Sequence, residues 1–248
     1  KVFFSINDSD LRSKQKAQKK LIQKKIIVKK FINKNFARVF YESYFLQSQN
    51  TLPFIDAKLA LSKDYYSINK KDKYITNSRS RNLGNFLRSK YDCLLTTSKT
   101  VNKDNPLLNC RIKGLENKSP CLVILDRHLK IKKNIKIINN NKPKKVFIFT
   151  ATNNPKKENF LKKKGIKVFK FIEKDNDYIN LKNLFMSIKK LGFNRVFVET
   201  GVSFINVLIK HSLIRNLYLF KSHQKLSSYG QNNTSLTGIK KIKISKQN

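Results

Sequence analysis

Long apolar runs are missing from this 248-residue chain, and nothing in it approaches the roughly 20 uninterrupted apolar residues of a membrane-spanning helix. No membrane span is therefore expected. The opening, KVFFSINDSD, has neither an initiator Met nor the apolar-run-plus-small-residue pattern of a signal peptide. The numbering is read as starting inside a longer protein. Cysteine is scarce: Cys93, Cys110 and Cys121 are odd in number and have no metal-like spacing. Cys93 and Cys121 lie in apolar runs, so buried free thiols and a reducing, cytoplasmic compartment are expected. His128, His211 and His223 are scattered, with no Ser or Cys partner at a spacing that supports a hydrolytic triad. Neither a Walker-type loop nor Gly-x-Gly-x-x-Gly occurs. A His-x-Glu followed by Pro-Cys-x-x-Cys is also absent, which excludes a zinc deaminase site within these residues, and no metal is expected here.

Acid is the other shortage. Against 54 Lys and Arg there are 15 Asp and Glu, a formal charge of +39. Such an excess is the footprint of a nucleic-acid or anionic-surface binder. However, Lys, Asn, Ile and Phe are inflated together, as an AT-rich coding bias produces. Lysines fall on ordinary helix faces, as at Lys162, Lys163 and Lys164, while Arg is sparse and no aromatic–basic interleaving forms a stacking platform. Coding bias is the better reading, and nucleic acid is not the expected partner. The charge should still raise the on-rate for a phosphorylated substrate.

What is present is core material: 40% hydrophobic residues, with 18 Phe and 9 Tyr, enough for one large or two modest domains. Strand-length apolar runs recur at Leu52–Leu61, Asp92–Thr97, Cys121–Asp126, Lys145–Ala151, Lys167–Ile172, Arg195–Thr200 and Leu217–Lys221. Helical spacing and punctuation predict helices at Ser78–Lys90, Pro155–Lys164, Asn180–Leu191 and Ser203–His211, with Gly165 and Gly192 as natural stops. This alternation implies an α/β fold with a mainly parallel sheet. The first fifty residues differ. Val2–Ile6, a Lys-rich helix from about Ser9 to Lys24, Ile26–Lys29 and a helix around Asn35–Leu46 make a piece too short to bury its own core. A boundary is placed near Ser48–Thr51.

Three segments can carry chemistry. In TTSKTVNKDNPLLNCR, Thr96–Arg111, an apolar strand runs into the hydroxyls of Thr96, Thr97, Ser98 and Thr100, then Asp104-Asn105-Pro106, then Arg111. Groups just past a strand's C-terminal end lie where α/β proteins bind ligands. In RVFVETGVS, Arg195–Ser203, a strand ends at Glu199, and Thr200-Gly201 opens a helix whose N-terminus can offer unpaired N–H groups to a phosphate. In YITNSRSRNLGNFLRS, Tyr74–Ser89, Leu83, Phe86 and Leu87 make an apolar stripe. Arg81 and Arg88 lie seven apart, on similar faces away from Leu83, where they can hold an anion. Each segment alone also fits an ordinary turn or a solvated helix face.

Taken in order, the segments resemble the reductase half of the bifunctional riboflavin-biosynthesis deaminase/reductase, diaminohydroxyphosphoribosylaminopyrimidine deaminase / 5-amino-6-(5-phosphoribosylamino)uracil reductase. Ala57-Lys58-Leu59-Ala60-Leu61-Ser62-Lys63-Asp64-Tyr65 stands for Leu-Lys-x-x-x-Ser-x-Asp-Gly, and Tyr74-Ile75-Thr76-Asn77 for Trp-Ile-Thr-Ser. Thr100, Val101, Asp104, Asn105, Pro106, Leu108 and Arg111 meet Thr-Val-x-x-Asp-[Asp/Asn]-Pro-x-Leu-x-x-Arg. Val198, Glu199 and Gly201 meet Val-Glu-x-Gly.

The resemblance implies a dihydrofolate-reductase-like fold over 51–248 that lacks its last strand. It also implies that 1–50 is the tail of a cytidine-deaminase-like α/β domain plus linker, with any zinc site lying upstream. The implied reaction is NADPH-dependent reduction of the ribosylamino group to ribitylamino, on a small phosphorylated pyrimidine. Carried over, Ala60, Tyr74, Thr100, Asp104, Gly201, Val202 and Ser203 border NADPH. Asp72, Arg88, Leu108, Arg111 and Glu199 face the substrate. Lys58, Asp104 and Glu199 lie nearest the chemistry, and a homodimer or higher homo-oligomer is implied. Three departures stand out. Tyr65 replaces the usual Gly, Asp72 replaces a substrate-binding Ser, and Arg127 replaces a Ser or Thr and can meet the cofactor's 2′-phosphate. The alternative is a basic nucleic-acid-binding protein on a catalytically lapsed domain. A pterin reductase is a third reading, opposed by Arg88 and Arg111.

Overall fold

The computed structural model describes residues 1–8, 10, 12–13, 16–49, 51–139 and 145–233. The chain divides into two compact units, Lys1–Phe54 and a second beginning at Ile55. In the first, β1 (Val2–Phe4) pairs in parallel with β2 (Val28–Lys30) across the connecting helix α1 (Lys16–Gln23). Two helices follow, α2 (Lys34–Phe40) and α3 (Glu42–Gln49), where one helix is expected; the break falls at Tyr41. Phe31, Phe36, Val39 and Phe40 are exposed, while Ala37 is buried.

The second unit is built on β3 (Phe54–Leu61), β4 (Tyr66–Asn69), α4 (Ser78–Arg88), β5 (Cys93–Thr97), α5 (Ser98–Asp104), β6 (Cys121–Leu125) and α6 (Lys136–Asn139). It continues with β7 (Val146–Thr150), α7 (Pro155–Lys163), β8 (Lys167–Lys170), α8 (Asp177–Lys190), β9 (Arg195–Glu199), α9 (Val202–Lys210), β10 (Asn216–Lys221) and β11 (Gly230–Asn233). Seven strands form one sheet in the order β10-β3-β9-β5-β6-β7-β8. The pairs β10–β3, β9–β5, β5–β6, β6–β7 and β7–β8 are all parallel. Strands covered by helices on both faces need apolar residues at every position. Leu94 and Leu95, Val123 and Ile124, and Val196, Phe197 and Val198 are fully buried accordingly.

β3 alternates instead. Leu59 and Leu61 pack with Val202 and Ile205 of α9, whereas Asp56, Lys58 and Ala60 turn to the opposite face. The helices begin where side-chain caps are available. Asn77 accepts from the Ser80 N–H, Asn154 from Lys157 ahead of Pro155, and Asn176 from Tyr178 and Ile179. Gly165 and Gly192 follow α7 and α8 at φ 75° and 94°, left-handed backbone that favours glycine.

Three elements depart from the expected pattern. Ser98–Asp104, read as a hydroxyl-rich loop, is helical: Thr97 caps it by accepting from the Thr100 N–H, and Asn105 ends it at φ 42° before Pro106. β4 and β11 form an antiparallel pair that no local pattern suggests, because the partners lie some 160 residues apart. α4 is also rotated from the face its leucines imply. Leu83 and Phe86 are exposed, whereas Gly84 and Asn85 are buried and Leu87 packs on the core. The expected loss of a final strand falls at 234–248, outside the described residues.

Tyr65, standing where the family's motif has Gly, keeps left-handed backbone at φ 68°. Its hydroxyl accepts from Lys221 Nζ at 3.0 Å, and the ammonium lies 4.1 Å from the ring centroid. Beside it Asp64 gathers the Ser62 hydroxyl at 2.6 Å and the N–H groups of Leu226 and Ser227. Partial burial would raise this carboxyl, but these donors hold it down to about 2.

Candidate active site

The C-terminal ends of the parallel strands bring together a charged cluster. Glu199 closes β9 and receives two bonds from Arg88 of α4, Nε to Oε1 at 2.6 Å and Nη2 to Oε2 at 2.9 Å. Both side chains are nearly buried, 13% and 11% exposed, so the pair lies in low dielectric. Arg88 Nη1 donates to Asn85 Oδ1 and to the Asn109 carbonyl, each at 3.0 Å. Lys58 of β3 completes the group, its ammonium 5.6 Å from the Phe220 ring centroid.

Burial would push the Glu199 carboxyl up, but Arg88, then Lys58 and Arg111, hold it below the ordinary carboxylate range. Burial pulls the Lys58 ammonium down, with Glu199 opposing and Arg88 assisting. Burial also disfavours the Arg88 charge, yet Glu199 outweighs it and raises the guanidinium. Three cations around one carboxylate leave the cluster at +2.

Next to it stands a triangle of hydroxyls. Thr97 Oγ1 lies 3.1 Å from Thr100 Oγ1 and 3.2 Å from Thr200 Oγ1, and the last two are 3.3 Å apart. They join the start of α5 to the β9–α9 turn. Gly201 is the N-cap of α9 and has no side chain with which to cap it, so no side-chain cap satisfies the first N–H groups of that helix.

Placement of the remaining expected residues is uneven. Ala60 is half-buried on the same face of β3 as Lys58, and Val202 is buried while Ser203 is exposed. Leu108 is buried at φ 52°, and Arg111, three residues on, is exposed. Asp104 is exposed at the end of α5; partial burial still raises its carboxyl. Tyr74 is exposed and stacks under the Arg81 guanidinium at 4.3 Å. Asp72 accepts from the Tyr74 N–H at 3.3 Å. It borders a cavity of about 330 Å³ lined also by Lys71, Gln224, Leu226 and Tyr229.

Arg127 follows β6 and pairs with Glu173. Arg81 and Arg88 are not presented together as a shared anion clamp: Arg88 turns inward to Glu199, and Arg81 donates to the Thr76 carbonyl at 2.5 Å. Sequence reading missed Asn85, Asn109 and Glu173. Asn85, one helical turn before Arg88, had a legible position but no legible role. Among the described residues no group of three or more His, Cys, Asp or Glu is arranged to hold a metal ion, and no helix is long and apolar enough to cross a membrane.

Comparison with known proteins matches residues 53–221 to the family described as RibD C-terminal domain. The riboflavin biosynthesis protein RibD of Bacillus amyloliquefaciens is 28% identical over 180 residues, covering 71% of this chain and 47% of that one. A protein of Buchnera aphidicola subsp. Acyrthosiphon pisum, named 5-amino-6-(5-phosphoribosylamino)uracil reductase, is 28% identical over 160 residues, 60% of this chain and 73% of its own. Among solved structures, Acinetobacter baumannii RibD superposes with a TM-score of 0.75 at 20% identity, over 93% of this chain and 63% of that one. The riboflavin biosynthesis reductase Rib7 of Saccharomyces cerevisiae gives 0.60 at 24% identity, over 79% and 87%. The chain spans about half the length of the curated RibD relatives it matches.

Proposed function

The chain belongs to the RibD C-terminal domain family, and on that premise we propose that it reduces 5-amino-6-(5-phosphoribosylamino)uracil to the ribitylamino product with NADPH. The observation that carries this reading is the buried Lys58–Arg88–Glu199 cluster beside the hydroxyl triangle, on the ligand-binding edge of a parallel sheet. The residues present fit a nicotinamide dinucleotide. The α9 N-terminus, with Gly201, Val202 and Ser203, and the hydroxyls of Thr97, Thr100 and Thr200 suit its pyrophosphate. Ala60, Tyr74 and Asp104 border it. When bound, NADPH supplies the hydride for the ribose C1.

The protein's own residues position and balance charge. Glu199 is ionised, so it orients the substrate's hydrogen-bonding groups and offsets Lys58 rather than donating a proton. Lys58 contacts the reacting centre. Arg88 acts through Glu199, which leaves exposed Arg111 to meet the ribose phosphate, with Leu108 and Asp72 shaping the substrate side. The excess positive charge favours capture of a phosphorylated substrate. Residues 1–50 are read as the tail of a deaminase domain, and the working form as a cytoplasmic homo-oligomer; the free thiols of Cys93, Cys110 and Cys121 fit that compartment.

The test is NADPH oxidation, followed at 340 nm, on addition of the phosphoribosylaminopyrimidine. Turnover that depends on this substrate is expected. Folded protein that binds NADPH and does not turn over would refute the assignment.

A further inference from the structure

The ion pair of Arg127 and Glu173 lies apart from the buried cluster, on the same edge of the sheet. Arg127 lies two residues past the end of β6, two strands from β9, so about 10 Å separates its strand from the one that carries Glu199. The hydroxyl of Thr97, at the end of the intervening strand β5, lies between the two and reaches Thr200 beside Glu199 at 3.2 Å.

The backbone under Arg127 is held firmly. Its carbonyl accepts from Thr150 Oγ1 at 3.1 Å, Thr152 Oγ1 at 3.0 Å and the Ala151 N–H at 3.0 Å. The preceding residue, Asp126, is buried and accepts from Ser98 Oγ and from the N–H groups of Lys130 and Ile131. The guanidinium on this stalk is 53% exposed, and its carboxylate partner Glu173, just beyond β8, is 32% exposed. The other carboxylate of this edge, Glu158, is taken by Lys170. The protein thus presents a rigidly mounted, half-exposed Arg fork whose acceptor comes from its own chain.

We propose that Arg127 discriminates the phosphorylated adenosine end of the cofactor and that Glu173 is its built-in competitor. This rests on the NADPH reading above. A 2′-phosphate brings close to two negative charges and three acceptor oxygens to the fork, and displaces a single, partly solvated carboxylate. A 2′-hydroxyl has no charge with which to do so and leaves the ion pair intact. Release of the phosphate then exchanges one anionic partner for another and never bares the cation. Glu173 therefore lowers the affinity for the 2′-phosphate by the fraction of time it occupies Arg127.

The test uses adenosine 2′,5′-bisphosphate and adenosine 5′-monophosphate, which differ only in the 2′-phosphate. Their binding to the full chain is measured by titration calorimetry. Arg127→Ser should weaken the bisphosphate about tenfold and leave the monophosphate unchanged. Glu173→Gln should tighten the bisphosphate roughly three- to tenfold, again without effect on the monophosphate. In the Arg127→Ser background, Glu173→Gln should have no effect on either ligand. Equal shifts for both nucleotides would show general surface charge and overturn the proposal, as would a Glu173→Gln gain that survives without Arg127. NADPH turnover measured on the same preparations separates the two readings. Turnover without nucleotide discrimination sinks the competitor role alone, and discrimination without turnover sinks the reductase assignment.

Discussion

Neutralising Glu199 and removing the charge of its partner Arg88 should each damage the fold, and the two losses should overlap. In Glu199→Gln the side chain keeps its shape and one acceptor oxygen, but an amide NH2 replaces the second oxygen and faces the Arg88 guanidinium. One of the two charged bonds is lost and the other becomes a bond to a neutral acceptor. The cluster of Lys58, Arg88, Arg111 and residue 199 rises from +2 to +3. Breaking a buried pair from one side costs about 3–5 kcal/mol, and Glu199→Gln should fall in that range. Arg88→Met takes the cluster from +2 to +1 and leaves Glu199 facing Lys58. It strips buried Glu199 of both charged bonds and orphans the Asn85 and Asn109 oxygens, so it too should cost about 3–5 kcal/mol. The double variant should cost less than the sum of the singles by about 2 kcal/mol or more.

Urea unfolding followed by far-UV circular dichroism measures all four proteins, since the chain has no tryptophan to report by fluorescence. The slope must be checked for separate unfolding of the two units. Additivity within about 0.5 kcal/mol would refute the buried pair. The pH dependence gives a second check. Because the Glu199 carboxyl is held below its ordinary value of 4.5, its stabilisation is full above that pH and is lost as pH falls through the folded-state value. Glu199→Gln should remove that part of the acid sensitivity.

Three further outcomes are expected. Asp64, held at about 2 against an ordinary 3.8, should stabilise the β3–β4 turn fully above about pH 4 and lose that effect towards pH 2. Asp64→Asn should flatten the unfolding midpoint across that window, and an unchanged profile would count against the hub. Tyr91→Phe keeps the stacking on Phe197 but deprives buried Asp56 of the Tyr91 hydroxyl, and should cost on the order of 1–3 kcal/mol in urea unfolding. Equal midpoints for the two proteins would contradict it. Arg111→Ala should raise KM for the substrate by about 1.5–3 kcal/mol in binding with little effect on unfolding; an unchanged KM would remove Arg111 from the phosphate site.

Much of this architecture could be read from local chemistry. The buried strands announce themselves as uninterrupted apolar runs, and Asn77, Asn154, Gly165 and Gly192 mark helix ends through caps and left-handed backbone. Glu199 and Thr100 were legible because each stands where a strand gives way to a helix. The rest depended on distant partners. Arg88 looks like a surface arginine until Glu199, 111 residues later, turns it inward and rotates α4 with it. Thr97–Asp104 looks like a loop because hydroxyl residues compete with the helix backbone, although Thr97 is using its hydroxyl as the cap. β4 has no strand identity without β11.

The strand order also has a consequence for synthesis. β3 emerges early, yet its neighbours in the sheet, β9 and β10, are the last two strands of that sheet to be made. Until about residue 199 has left the ribosome, the segment FIDAKLAL has both hydrogen-bonding edges open, and one edge stays open until about residue 221; parallel pairing across such separations is slow. A nascent chain stalled within α8 would expose this apolar strand and would hold Lys58 and Arg88 without Glu199. The Arg88–Glu199 ion pair therefore forms only once β9, the strand that closes one side of β3, has been made, and shorter chains keep apolar strand surface uncovered.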